Sequence, residues 1–505
     1  MTLPSVLDPF FAIARTDPGR PAVVDNGMTV GYGRLATWAG AVADLLATRA
    51  PGPHPPVGIV VHHSARDIAA ILGTLAAGRG YVPVPDGPGD SADRALRALG
   101  CRELIATAET GEPPAVDRVL RPYWGHPRTP VRETGAPVRA EDPAYVLFTS
   151  GSTGAPKAAA IPHGALHAVL PALRERYGTG PDTVALNFHR AEGDTSLEEI
   201  LPTLLAGGLV VVEEDAEADL DRVLTDHEVT LLNLPVDYWH IYTGHLLETG
   251  RALPAALETV VIGGEAVRPD MLERWHRLGA GHVRLLNTYG STETALVTHS
   301  ALLAGPGAPA SFPEGVPIGR PLPSVRQAVV PRPDAPGEPG ELCVAGPQLA
   351  TGYLDDPART AARFVEADLG GGTTRWYRTG DLVHEAADGS LVFHGRIDHQ
   401  VKIRGHRVDL VDVEEALGRL PGVAAVAAAA HEKGEHTALV AFVVRGADGT
   451  GTGEDAEPAG PDALRARLRA GLPDHMVPDR ILVVPELEHT RTGKVDRDAT
   501  RDRYL

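Results

Sequence analysis

The stretch Tyr145 to Lys157, YVLFTSGSTGAPK, runs from apolar residues into small hydroxylated residues and glycines and closes on a lysine. That composition can cradle a phosphate. Glycines let backbone N–H groups approach phosphate oxygens, Thr149, Ser150, Ser152 and Thr153 add hydroxyl donors, and Lys157 adds a mobile positive charge. The G-x-x-x-x-G-K-[ST] spacing of a P-loop is absent, so the cradle would be of another kind. Taken alone, the stretch is equally compatible with an ordinary flexible Ser/Gly turn.

Such a loop needs rigid elements behind it. Short β-branched runs, VGIVV at Val57 to Val61, YVPVP at Tyr81 to Pro85, LVVVEE near Val210 and ETVVIGG near Val260, alternate with helical patterns such as Asp67 to Ala77. The alternation predicts an α/β fold of layered, mainly parallel sheets and helices. Turn residues thicken from Ala304 to Gly340, and ELCVAG and GSLVFHG then read as strands of a small β-rich layer. After Gly395 the pattern restarts with a hairpin (VKIRGHRVDL), a helix (VDVEEALGRL), two strands near Val426 and Leu439 and a helix (DALRARLRAGL), as in a small α+β domain. The expected division is a large domain over 1–397 and a small mobile one over 398–505. Gly446 to Pro461 reads as a flexible surface loop.

The chain has 505 residues, enough for two or more domains. Its 47 basic and 66 acidic residues leave a net charge of −19, which disfavours nonspecific binding to nucleic acid or an anionic membrane. Any phosphate must therefore be held locally. Cys101 and Cys343 stand far apart, outside any disulfide framework or zinc-ligand spacing, which suits a reducing cytoplasm. Asp8 and Arg15 interrupt the N-terminal run where a secretion signal needs apolar residues, and no segment approaches the roughly 18 apolar residues of a membrane span.

The glycine-rich segment resembles the phosphate-binding signature of the acyl-adenylate-forming superfamily, which includes acyl-CoA synthetases, luciferases and nonribosomal peptide synthetase adenylation domains. Further motifs follow in the family's order over nearly the whole chain. VGYGRL (Val30 to Leu35) and LAAGRGYVPVP (Leu75 to Pro85) resemble its early structural motifs. NTYGSTE (Asn287 to Glu293), GELCVAG (Gly340 to Gly346), YRTGDL (Tyr377 to Leu382), GRIDHQVKIRGHRVDL (Gly395 to Leu410), LPDHMVP (Leu472 to Pro478) and RTGKVDR (Arg491 to Arg497) resemble the later ones. The early pair is similar to the amino-acid-activating branch. Ala158 departs from the pattern, standing where many relatives have glycine.

The resemblance implies ATP as nucleotide and Mg2+ as its cation. Tyr289 is suited to stack on adenine, Thr292 to reach the α-phosphate, Glu293 to ligate Mg2+, and Asp381 to accept from the ribose hydroxyls with Arg396 nearby. Gly264, Glu265 and Asn287 complete the implied nucleotide site. Lys494 resembles the lysine that bridges the substrate carboxylate and the phosphate oxygens during in-line attack on the α-phosphorus, where charge builds and no general base is needed. Asp398 occupies the hinge position about which the small domain swings, so that the loop Lys402 to Gly405 replaces Lys494 for thioester formation. The chain ends at Leu505 soon after RTGKVDR, and no condensation-type histidine motif is evident upstream. The expectation is a free-standing enzyme that delivers its product to the phosphopantetheine thiol of a separate carrier protein. An MbtH-like activating partner is a further expectation the resemblance raises.

GDTSLEEIL (Gly193 to Leu201) aligns with the family's FDxSxxEIF, which assigns Asp194 to the substrate ammonium. Gly193 replaces the family aromatic and the preceding NFHRAE is unusual, so the ammonium could sit differently, as in a β-amino acid. The pocket carried over comprises Asp194, Thr195, Glu198, Asn233, Val261, Gly263, Thr288, Leu296, Val297 and Lys494. A carboxylate in such a pocket is costly without a cation, so Glu198 with Asn233 argues for a second amino group on the substrate, as in ornithine, lysine or β-lysine. The alternative is a Glu198 that faces solvent or pairs with an arginine. Rival functions are an acid–CoA ligase of the same superfamily and an inactive scaffold member.

Overall fold

A computed structural model describes residues 1–47, 54–86, 96–97, 99–108, 116–125, 132–149, 157–332, 337–397, 400–403, 406–433, 436–445, 460–469, 472–489 and 495–505. It divides into two compact units: Met1–Leu147, Ala158–Leu234 and Thr243–Gly395 in one, and Phe148–Lys157, Pro235–Tyr242 and Arg396–Leu505 in the other.

The first unit carries two large sheets. In the seven-stranded sheet, Val57–Val61 lies between Tyr81–Pro85 and Glu103–Ala106, parallel to both. Every residue of Val57–Val61 is buried, as expected of a parallel strand covered on both faces. Helix Ala65–Ala76 opens with a capping box between Ser64 and Asp67, and presses Gly73 against helix Tyr32–Leu46. A Cβ on Gly73 would stand 2.4 Å from the Ala39 carbonyl oxygen, so a larger residue would force the helices apart. Strands Pro143–Thr149 and Lys157–Pro162 are neighbours in this sheet, one leading into the glycine-rich segment and the other out of it.

The second sheet has fourteen described strands. Its first half is largely parallel: Pro21–Asp25, Leu209–Val212, Val184–Leu186, Leu231–Pro235, Thr259–Gly263 and Arg284–Tyr289 lie side by side. From Arg284–Tyr289 onward the neighbours run antiparallel, through His299–Ala304 and Pro317–Pro321 to Leu391–Arg396, with Gly340–Ala345 and Thr374–Glu385 beyond. The expected β-rich stretch is thus an antiparallel extension. Pro317–Pro321 hydrogen-bonds to strands on both sides and makes it continuous with the parallel sheet.

In the second unit the strands Gln400–Ile403 and His406–Asp409 form the expected hairpin. Asp409 caps helix Leu410–Gly418, accepting from the Val411 N–H. Val423–Lys433 pairs antiparallel with His436–Arg445, which pairs parallel with Arg480–Val483, and helix Pro461–Arg469 lies between those last two strands in the chain. The unit has its own apolar core around Val408, Val413, Leu417 and Leu439. The loop expected over Gly446 to Pro461 lies outside the described residues up to 459.

Candidate active site

Gly264, Glu265, Tyr289, Thr292 and Glu293 lie at or just beyond the carboxyl ends of two neighbouring parallel strands of the second sheet, where open α/β sheets hold their ligands, while Asp381 lies within an antiparallel strand farther across the same sheet. Strand Thr259–Gly263 turns at Gly264, whose φ of 88° is left-handed, and leads into the half-buried Glu265. Strand Arg284–Tyr289 ends beside it, with Gly263 paired to Thr288. Gly290 follows because the chain doubles back here: a Cβ at that position would stand 1.8 Å from the Leu296 carbonyl oxygen. The return turn contains Ala295 and Leu296 at left-handed φ of 51° and 65°. Gln348 braces it, its amide donating to the carbonyls of Thr294 and Val297 at 2.9 Å each.

Tyr289 donates its hydroxyl proton to Oδ2 of Asp381, which joins two of the nucleotide candidates directly. Asp381 sits within strand Thr374–Glu385, its N–H donating to Thr379 Oγ1. Thr292 and Glu293 form the short 3-10 turn Thr292–Thr294, closed by reciprocal Ser291 and Thr294 hydrogen bonds. The Glu293 side chain is 1% exposed, and Tyr353 donates to its Oε1 at 2.8 Å. Its backbone carbonyl accepts from the Ala350 N–H, so two points of one segment fix this carboxylate. A buried hard oxygen donor fits Mg2+. Among the described residues no group of three or more His, Cys, Asp or Glu could hold a metal. The remaining ligands would then be phosphate oxygens and water, the usual company of nucleotide-borne Mg2+. The Asn287 amide N–H donates to the Pro317 carbonyl and ties two strands, while its Oδ1 is buried with no hydrogen-bond partner among the described residues. Lys157 opens strand Lys157–Pro162 and is buried, and Arg396 closes strand Leu391–Arg396 and is half-buried. Ser150, Ser152, Thr153, Lys494 and Asp398, the side chains of Thr149 and Lys402, and Gly405 lie outside what is described.

Three of the substrate candidates, Asp194, Thr195 and Glu198, lie at the first turn of helix Thr195–Ala206. Asp194 stands at its N-cap without capping it, with Thr195 next and Glu198 one turn on, so residues four apart place both carboxylates on one face. Glu198 is 6% exposed and neither faces solvent nor pairs with an arginine among the described residues. Its Oε2 accepts from the Tyr177 hydroxyl at 2.6 Å and from the Asn233 amide at 3.4 Å. Burial pushes its carboxyl up to about 8; the two donors oppose the rise, while the charges of Asp194 and Glu199 add to it. Leu296 and Val297 are buried, Val261 lies in the core, and Thr288 is engaged through its hydroxyl with the Ile262 carbonyl. Two partners escaped the sequence reading. Tyr177 and Tyr353 lie far along the chain from the carboxylates they hold, in segments with no local sign of such a role. The unusual NFHRAE also gains a purpose: Glu199 bonds His189 Nδ1 and the Asn187 amide, both at 2.7 Å.

A model of the AMP-binding enzyme family matches residues 10–354, and its C-terminal domain matches 412–494. The chain is 38% identical over 495 residues to an isonitrile lipopeptide synthase of Streptomyces coeruleorubidus, covering 95% of this chain and 32% of that one. It is 35% identical over 513 residues to novobiocin biosynthesis protein H of Streptomyces niveus, covering 97% and 81%. Its fold matches PA1221, an NRPS protein containing adenylation and PCP domains, with a TM-score of 0.81, 26% identity and coverage of 99% and 97%. The chain spans from 6% to 41% of the length of several other curated relatives. With both family models matched in order along the chain, it belongs to the AMP-binding enzymes and is an AMP-forming ligase of the nonribosomal peptide synthetase adenylation type, activating an amino acid or other acid by adenylation.

Proposed function

We propose that the acid is a basic amino acid of the ornithine, lysine or β-lysine type, and that the acyl group passes to the phosphopantetheine thiol of a carrier protein. The observation that carries the substrate reading is the buried Glu198 carboxyl, which has hydrogen-bond donors but no cation among the described residues. A substrate ammonium would supply the missing charge. Asp194, one helical turn away, would take the other amino group.

In this reading the substrate carboxylate attacks the α-phosphorus of ATP, an acyl–oxygen–phosphorus bond forms, and the bond to the β-phosphate breaks to release pyrophosphate. Tyr289 and Asp381 hold the nucleoside, Thr292 and Lys157 the phosphates, and Glu293 would hold Mg2+, which when bound neutralises phosphate charge. Lys494 brings the two anions together, and Asp398 is the hinge for the thiol step. The adenylation and PCP domains joined in PA1221 support a carrier as partner.

Pyrophosphate exchange across amino acids, including ornithine, lysine, β-lysine and diaminobutyrate, tests the reading. A basic substrate should lead the panel. Glu198→Gln keeps the shape and removes the charge, so the basic substrate should lose on the order of 2–5 kcal/mol in kcat/KM, against about 0–1 kcal/mol for a solvent-facing carboxylate. A parent enzyme that activates only neutral or acidic amino acids would overturn the substrate class and leave adenylation standing.

A further inference from the structure

The two hydrogen bonds to Glu198 fall on the same oxygen. Tyr177 and Asn233 both donate to Oε2, and Oε1 accepts from none of the described residues. The Tyr177 ring has little freedom to choose otherwise. It is the last residue of helix His163–Tyr177, which Gly178 terminates at a left-handed φ of 73°. Arg284, opening strand Arg284–Tyr289, donates to the carbonyl of Arg176 at 2.6 Å and to that of Tyr177 at 3.5 Å. The helix end is thereby fastened to the sheet, with the phenol 3% exposed and directed at Glu198. A second polar group in the same place lacks a partner. The hydroxyl of Tyr145, on strand Pro143–Thr149, is fully buried, has no hydrogen-bond partner among the described residues, and lies within the fields of Asp194 and Glu198.

We propose that Tyr177 is a positioning residue for substrate selection: by donating to Oε2 it turns Oε1 of Glu198 toward the distal ammonium of a diamino acid. The inference rests on the basic-substrate reading above. With two donors on Oε2, a proton carried by the carboxyl would reside on Oε1. When the ammonium arrives, that proton leaves to solvent and an N–H···Oε1 bond forms, so charge balances. The groups around Glu198 that carry or can carry charge are Asp194 and Glu199 on its own helix, Tyr145 on its strand, and Tyr177 with Arg176 on the preceding helix. Both carboxylates raise the cost of ionising Glu198, and the Tyr177 hydrogen bond lowers it.

The test is Tyr177→Phe, which keeps the ring and removes the donor, assayed by pyrophosphate exchange with L-lysine and its neutral isostere L-norleucine, and with L-ornithine and L-norvaline, from pH 6 to 9.5. KM for the basic substrate should rise about tenfold with kcat changed much less, and its preference over the neutral isostere should fall by a similar factor. The acid-side midpoint of kcat/KM for the basic substrate should move to higher pH, and in Glu198→Gln that limb should vanish. A purely structural tyrosine would instead lower the thermal midpoint and depress both substrates alike with the pH midpoint unmoved, which overturns the proposal. If the parent prefers basic substrates and Glu198→Gln abolishes the preference while Tyr177→Phe keeps both preference and midpoint, only the positioning role falls. If the parent shows no preference for basic over neutral acids, the substrate reading falls and this inference with it.

Discussion

At the scale of single residues the site is a set of carboxylates in unequal surroundings. Glu198 has its ordinary value of 4.5 raised to about 8 by burial, so between those values the folded protein holds a proton that the unfolded chain gives up. The stabilisation is complete below pH 4.5 and is lost as pH rises through about 8. The substrate-free parent should therefore lose, relative to Glu198→Gln, on the order of 3–5 kcal/mol of unfolding free energy between pH 5 and 9. Denaturant melts of both proteins across that range check it; parallel curves would show that Glu198 is not desolvated. Asp381 accepts from the Tyr289 hydroxyl. Asp381→Ala should weaken ATP binding by roughly 1.5–3 kcal/mol, the range for charged hydrogen bonds. Isothermal titration reads this directly, and an unchanged affinity would mean the nucleotide lies elsewhere.

At the scale of elements, the turn between strand Arg284–Tyr289 and strand His299–Ala304 matters most, because it carries Thr292, Glu293, Leu296 and Val297 together. One buried side chain, Gln348, satisfies two of its carbonyls, and Ser324 in turn donates to Gln348 Oε1. Gln348→Met preserves length and removes these bonds, leaving two buried carbonyls without donors. Stability should drop by about 2–6 kcal/mol, at about 1–3 kcal/mol for each buried group left unpaired. KM for both ATP and the amino acid should rise, since one turn serves both. A stable variant with altered kinetics for only one substrate would show that the turn does not act as a unit.

At the scale of the whole molecule, the proposed reaction asks one site to serve two steps. Lys494 is assigned to the first alone. Lys494→Ala should reduce adenylate formation by orders of magnitude and affect thioester formation from supplied adenylate far less. Equal loss in both half-reactions, measured separately by pyrophosphate exchange and by loading of carrier protein, would count against a swing about Asp398.

Much of this architecture was legible along the chain. Strands Val57–Val61, Tyr81–Pro85 and Thr259–Gly263 and helix Leu410–Gly418 stand where β-branched runs and apolar periodicity put them, because period reports which face of an element is buried. The family and its adenylation chemistry were legible too, for the motifs are short contiguous segments whose backbone and side chains act together. Periodicity does not say what a buried face meets. That the β-rich stretch joins the parallel sheet depends on pairings of Pro317–Pro321 with strands on either side, which no local pattern encodes. The partners of the key carboxylates are remote as well: Tyr177 and Glu198 are 21 residues apart, Glu293 and Tyr353 60, and Tyr289 and Asp381 92. The sequence alone named Glu198 as a carboxylate in need of a cation. Only the tertiary structure decided that its surroundings are two neutral donors on one oxygen, because desolvation and hydrogen-bond satisfaction are properties of what folding brings together from distant parts of the chain.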